Sequence, residues 1–157
     1  MGLEQVRQYF KAYGRDDDIM VFDISSATVE LASQALNIEP ALIAKTLSFS
    51  GEEGAVLVVT AGDAKVDNSK FKLAFGFKAR MLKPAEVMEY TGHAVGGVCP
   101  FGLIRDLPVY LDVSLQRFEF VYPACGSGNS AIKLSLPDLE NFSASQGWVD
   151  VCKNWQA

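Results

Sequence analysis

The spacing of hydrophobic and polar positions changes several times along this chain, and each change marks an element. Val6, Phe10 and Tyr13 recur at three- and four-residue intervals, which predicts an amphipathic helix over 3–13. Gly14 and the acidic triplet Asp16-Asp17-Asp18 break that period, and Ile19-Met20-Val21-Phe22 then reads as a short buried strand. Ser25-Ser26 are placed to cap a helix over 28–36, whose apolar stripe is Val29, Ala32 and Leu36. Pro40 opens a short helix over 41–44. Residues 46–50 and 55–61 predict paired strands around a Gly51-Glu52-Glu53-Gly54 turn, and the unbroken apolarity of the second predicts a central strand covered on both faces. A helix over 68–75, a strand over 79–82 and a helix over 84–90 follow. Strands over 109–113, 118–123 and 131–134, a short helix from Pro137 and a closing strand over 148–152 complete the pattern. Helices and strands alternate early and hairpins dominate late. The expectation is one compact α/β domain over 1–157, with a mixed, mostly antiparallel central sheet flanked by helices.

Composition narrows the functional classes. With 49% apolar and 21% charged residues in 157, the chain can bury one continuous core without disulfide or metal staples. It contains no uncharged apolar run of ~18 residues, and its first ten residues carry Glu4 and lack the apolar stretch of a secretory signal. Both features point to a cytoplasmic protein with no membrane partner. Cys99, Cys125 and Cys152 are odd in number and widely spaced, which argues for reduced thiols and against a disulfide frame or zinc site. His93 has no second imidazole to share a metal with, so neither metal nor other cofactor is expected. A net charge of −5 counts against broad phosphate neutralisation and against a DNA partner. The exception is local: Lys65, Lys70, Lys72, Lys78, Arg80 and Lys83 fall within 19 residues, either as a solvated face or as a nucleic-acid contact.

Candidate chemistry concentrates in few places. Gly92, Gly96, Gly97 and Gly102 surround Val98-Cys99-Pro100, a segment too rich in glycine for a stable helix or strand. Proline stiffens such a loop, and its main-chain N–H groups can be aimed at a carbonyl oxygen or oxyanion. No lysine follows the glycines as in phosphate-binding loops, and Gly-x-Gly-x-x-Gly is absent. Lys45 lies between Ala41-Leu42-Ile43-Ala44 and Thr46-Leu47, so its ammonium either reaches solvent or is set into a cleft. His93 beside the loop invites acid–base chemistry, and with Cys99 or Cys125 a thiol–imidazole pair, although neither cysteine has a basic neighbour to make a thiolate. Gly126-Ser127-Gly128-Asn129 reads as a turn that can form a second polar wall.

Taken together, these segments resemble the YbaK family, the editing-domain family that includes the insertion domain of bacterial prolyl-tRNA synthetases. The resemblance rests on Ser26-Ala27-Thr28-Val29-Glu30, Ile43-Ala44-Lys45-Thr46-Leu47, Val58-Val59-Thr60-Ala61-Gly62-Asp63, Thr91-Gly92 with Val95-Gly96-Gly97-Val98-Cys99-Pro100-Phe101-Gly102, Val109-Tyr110-Leu111-Asp112, and Ala124-Cys125-Gly126-Ser127. It implies a free-standing, metal-independent hydrolase that removes a small amino acid (Ala, Cys or Ser) from mischarged tRNA, with tRNA for proline among the candidates. Lys45 would be the essential lysine. Gly96, Gly97, Val98, Cys99 and Pro100 would hold the aminoacyl group through the main chain, and Thr46, Gly126 and Ser127 would line the same pocket. Phe22, Val29, Leu47, Val98 and Cys99 are candidates for its side-chain wall. The implied partners are the acceptor end of aminoacyl-tRNA and, in support, an aminoacyl-tRNA synthetase. The competing reading is a module that binds tRNA ends or a synthetase without hydrolysis.

Overall fold

The computed structural model describes residues 2–52 and 54–155. Its longest ladder is the antiparallel hairpin of β2 (Ile43–Gly51) and β3 (Gly54–Ala61), built from the two runs the pattern singled out; Glu53 of the predicted turn lies outside the described residues. Every residue of β3 from Ala55 to Ala61 is buried, as its continuous apolarity requires. β5 (Val109–Asp112) runs parallel to β3, and β9 (Trp148–Val149) runs parallel to β5. On the far side of β2, β6 (Phe120–Pro123) pairs parallel and is itself joined by the antiparallel β8 (Leu134–Ser135). The six-stranded order is therefore β8-β6-β2-β3-β5-β9. The sheet is mixed, and ten of its seventeen residue pairs are antiparallel.

Helices cover this sheet where their apolar stripes demand. α1 (Gly2–Lys11) buries Val6 and Phe10, and Phe10 meets Phe101 and Phe142 with ring centroids 4.9 and 5.2 Å apart. Phe142 belongs to α5 (Leu136–Ser143). α3 (Asn68–Phe75) sets Phe71 against Phe49 of β2 at 4.7 Å. α4 (Pro84–Thr91) begins at its proline and ends at Gly92, whose φ of +79° is the left-handed cap that favours glycine. α2 (Val29–Leu36) differs from expectation at its start. The Leu31 N–H donates to Thr28 Oγ1 at 3.1 Å, so Thr28 caps the helix in place of Ser25-Ser26.

Other expectations were longer than what forms. The 19–22 strand reduces to β1 (Met20–Val21), paired with β7 (Ser130–Ala131) and with Val21 half exposed, because only a two-residue partner reaches it. Pro40 starts one 3-10 turn (Pro40–Leu42), and Ile43 already belongs to β2, where it lies opposite Tyr122. The 79–82 strand amounts to a single bridge between Met81 and Phe49. The closing strand splits into β9 and β10 (Cys152–Lys153), the latter paired with β4 (Lys65–Val66).

One feature of β2 positions the site. β6 pairs with it only at Ile43 and Ala44. Further along, the Leu82 N–H donates to Ser48 O and the Ser50 N–H donates to Arg80 O. No residue of β6 is paired with the 45–47 stretch between these contacts, so the edge of a central strand is open there. Main-chain groups alternate sides along a strand, and Ser48 and Ser50 point theirs away from β3. The N–H and C=O of Thr46 therefore face the same opening.

Candidate functional site

A cavity of about 460 Å³ lies at this gap. Six consecutive β2 residues, Ile43 to Ser48, line it, as expected where a cavity meets a strand edge-on. Ser26, Ala27, Thr28 and Val29 at the start of α2 form one wall. Gly96 and Val98 of the glycine loop, with Met81, Leu82, Pro84 and Val87, form another. Tyr122, Ala124, Ser130 and Ala131 close it from β6 and β7.

Lys45 enters this site in an unexpected way. It stands opposite Thr60 in the hairpin, whereas Thr46 stands opposite Val59, so their side chains leave opposite faces of the strand. The Lys45 ammonium donates to the main-chain carbonyls of Ala64, at 2.5 Å, and Gly62, at 3.5 Å. Two of its three N–H donors are thereby used and one remains. Burial lowers its pKa from the ordinary lysine value, partly offset by the negative neighbours Asp63 and Glu30. The cation is thus partly desolvated, where its field is stronger than in water.

Two residues of the cavity wall carry polar atoms without partners. Ser26 is 7% exposed and its Oγ has no hydrogen-bond partner; Thr46 Oγ1 is likewise buried and unpaired. Both residues line the cavity. Buried hydroxyls are rarely left without a partner, and these two belong to residues of the cavity wall, whereas the buried and unpaired His93 Nδ1 and Trp155 Nε1 belong to residues outside it. The sequence offers Ser26 as a cap and as part of a family-like segment, with no place in the pocket. The structural signal that identifies it is non-local: its N–H donates to Gly128 O at 2.7 Å, which turns the residue towards the β6–β7 wall.

The glycine loop is pressed against that wall. A Cβ on Gly97 would lie 2.6 Å from Ser127 N and 2.7 Å from Gly126 C, and one on Gly96 would meet Ala27 Cβ at 3.0 Å. The residues flanking these glycines divide. Gly96 and Val98 line the cavity, while Cys99 is fully buried, with Sγ 3.6 Å from His93 Nε2 and from Phe101 O. Pro100 lines a separate depression with Tyr9, Gly102 and Phe142. Gly126 and Ser127 back the loop, and Ser127 Oγ bonds to Asn129 Oδ1 and Ser130 Oγ. Phe22 holds Asn129 through its main chain and does not line the cavity. The structure therefore brings Lys45, Thr46, Gly96 and Val98 together, with Gly97, Gly126 and Ser127 directly behind them. Cys99, Pro100 and Phe22 are directed elsewhere.

The thiol–imidazole alternative has no accessible chemistry. His93 is fully buried, its Nε2 lies 2.8 Å from Phe101 O, and burial lowers its pKa. Burial pushes the Cys99 and Cys152 thiols up to about 12 and the Cys125 thiol well above its ordinary value. Among the described residues, no group of three or more His, Cys, Asp or Glu side chains is arranged to hold a metal ion. No helix among them is long and apolar enough to cross a membrane.

The fold is that of a small α/β protein with a cavity at the open edge of its central strand. Residues 25–142 match the family model described as the aminoacyl-tRNA editing domain, and the chain belongs to that family. It is 55% identical over 157 residues to YwhH of Bacillus subtilis, covering 99% of this chain and 100% of that one. It is 30% identical over 121 residues to EbsC of Enterococcus faecalis, covering 76% and 74%; that protein is named as a proposed Cys-tRNA(Pro)/Cys-tRNA(Cys) deacylase. A crystal structure described as a proposed trans-editing enzyme for prolyl tRNA synthetase superposes with a TM-score of 0.87 at 30% identity, over 97% of each chain.

Proposed function

We propose that this chain, acting as one editing domain in the cytoplasm, is an aminoacyl-tRNA deacylase that hydrolyses the ester of mischarged tRNA in trans. The observation that carries the reading is the convergence on one cavity of Lys45, the open strand edge at Thr46, Ser26 and the glycine loop at Gly96 and Val98. Membership of the editing-domain family and the printed names of EbsC and the superposed enzyme support it. An aminoacyl ester is already activated, so the protein has mainly to position it and stabilise the tetrahedral oxyanion. The remaining Lys45 N–H and main-chain donors of Thr46 and the loop serve the carbonyl, and the Ser26 and Thr46 hydroxyls pair with polar groups of the aminoacyl-ribose. The nucleophile is water or the terminal ribose hydroxyl, and no residue of the chain forms a covalent intermediate.

The substrate we assign is a small amino acid (Ala, Cys or Ser) on tRNA, with tRNA for proline the first to test. Val29, Val87 and Val98 narrow the cavity with apolar walls. A methylene is discriminated by about 1–3 kcal/mol in such a pocket. The acceptor end runs past the 78–83 segment, since Met81 and Pro84 line the cavity and the neighbouring Lys78, Arg80 and Lys83 are exposed and in no ion pair among the described residues. Lys70, by contrast, is engaged by Asp150 and Cys152 O. A synthetase partner would deliver the tRNA.

Deacylation of a panel of mischarged tRNAs by the wild type and by Lys45→Ala tests the reading. Turnover that is abolished by the substitution is the expected result. Tight binding of tRNA ends without turnover would replace the enzyme with a binding module, and hydrolysis of simple esters regardless of tRNA would remove tRNA from the account.

A further inference from the structure

The Lys45 head group is only as fixed as the turn that holds it, and that turn is tied down from two directions. Gly62, Asp63 and Ala64 follow β3, and the Ala64 N–H closes the turn on Ala61 O at 3.1 Å. At its apex, Asp63 receives both Nη atoms of Arg117, at 2.6 and 2.9 Å, in a fork-on-fork pair. Arg117 is itself immobilised. Its Nε donates to Ser114 O at 2.9 Å, Nη1 donates to Trp155 O at 3.2 Å, and its guanidinium stacks on Phe118 and Trp155 at 4.7 and 5.0 Å. At the base of the turn the Ala61 N–H donates to Ser114 Oγ at 3.1 Å. The Ser114 N–H in turn donates to Asp112, a fully buried carboxylate that also accepts the Val151 N–H. One short segment, 112–117, therefore holds the apex and the β3 side of the turn whose carbonyls receive Lys45. A third side is fixed by contact, since a Cβ on Gly62 would fall 2.1 Å from Pro40 O.

We propose that Asp63 and Arg117 are positioning residues for Lys45: the bidentate pair sets the Gly62 and Ala64 carbonyls so that the ammonium keeps one N–H for the substrate. This rests on the deacylase reading above. An exposed ion pair contributes little to stability in general, and both side chains here are partly exposed. The pair's value lies instead in geometry and in the negative charge it keeps near a half-buried cation. Lysine in place of arginine retains the charge and loses the fork, so the two contributions are separable.

Arg117→Lys and Asp63→Asn are assayed for deacylation of a mischarged tRNA, and the Lys45 ammonium is followed by lysine-selective 1H–15N NMR, assigned by its loss in Lys45→Arg. The expected result is a fall in kcat of about tenfold to a hundredfold with KM within about twofold, the scale of a displacement near 1 Å. A weakened or shifted Lys45 signal and a melting temperature within a few degrees of wild type should accompany it. In the Lys45→Ala background neither substitution should lower the residual rate further. If Asp63→Asn does not fold, Arg117→Lys carries the test alone. An unchanged Lys45 signal and unchanged kcat in Arg117→Lys, with Lys45→Ala inactive, would overturn the proposal and leave the deacylase reading standing. A Lys45→Ala enzyme with full activity would remove the deacylase role of Lys45, while the NMR signal would still report whether the clamp holds it.

Discussion

The two faces of the glycine loop are lined with very different chemistry. The inward face carries the residue types most often associated with catalysis: His93 and Cys99 are in contact, and Cys125 is buried in the same core. The outward face offers Gly96 and Val98 beside a lysine and two hydroxyls. Yet the inward pair is sealed in the core, its thiol pushed up to about 12 and its imidazole held neutral by burial. The outward side has open volume lined by Lys45, Thr46 and Ser26. Both faces hold a buried polar atom without a partner, His93 Nδ1 on the inward one, so access rather than residue type separates them.

Substitutions can break this contrast, and their expected effects descend in size. Lys45→Ala should lower kcat/KM for deacylation about 100- to 1000-fold, the loss typical of one oxyanion donor. In the wild type the alkaline limb of the rate profile should fall below the ordinary lysine pKa of 10.5, because burial favours loss of the proton. Gly97→Ala should cost about a hundredfold, since a methyl group 2.6 Å from Ser127 N displaces the loop main chain. Gly128→Ala is its control, with only an ordinary 3.4 Å contact to Ala27 Cβ, and should be nearly silent. Thr46→Val and Ser26→Ala should each cost about threefold to tenfold in kcat/KM, the worth of one hydrogen bond, without loss of melting temperature because neither hydroxyl is paired in the free protein.

Cys99→Ala should leave deacylation unchanged and lower stability by roughly 1–2 kcal/mol through the void it leaves. His93 sharpens the same point through pH. Its folded pKa is lowered, so the unfolded chain takes up the proton first. The contribution of neutral His93 is present above the unfolded value of about 6.5 and is lost as pH falls towards the folded pKa. Acid denaturation of His93→Gln, followed by circular dichroism, should be less steep over that range than that of the wild type.

Much of the fold was legible because it is local. The apolar run of β3, the proline that opens α4 and the Asn68–Phe75 helix are written in consecutive residues. The lining of the candidate cavity could be anticipated where chemistry and covalent geometry coincide, as at Lys45 and Gly96. It was not legible where partners lie far apart in sequence. The gap in β2 exists because β6, some 80 residues on, pairs with only two of its residues, and nothing within the 43–51 run records that. Ser26 looked like a helix cap until Gly128 was seen to hold it, and Cys99 looked like pocket lining until His93 and Phe101 were seen to enclose it. That Lys45 is seated on a turn clamped by Arg117 is likewise a long-range fact.

The most direct test is to titrate the protein with a non-hydrolysable 3′-aminoacylamido-adenosine and follow the backbone amide resonances. The account requires the largest shifts at Thr46, Gly96 and Val98, with Cys99 and the Tyr9–Phe142 depression unmoved. Shifts centred on Pro100, Gly102 and Phe142, with Thr46 and Gly96 silent, would contradict it.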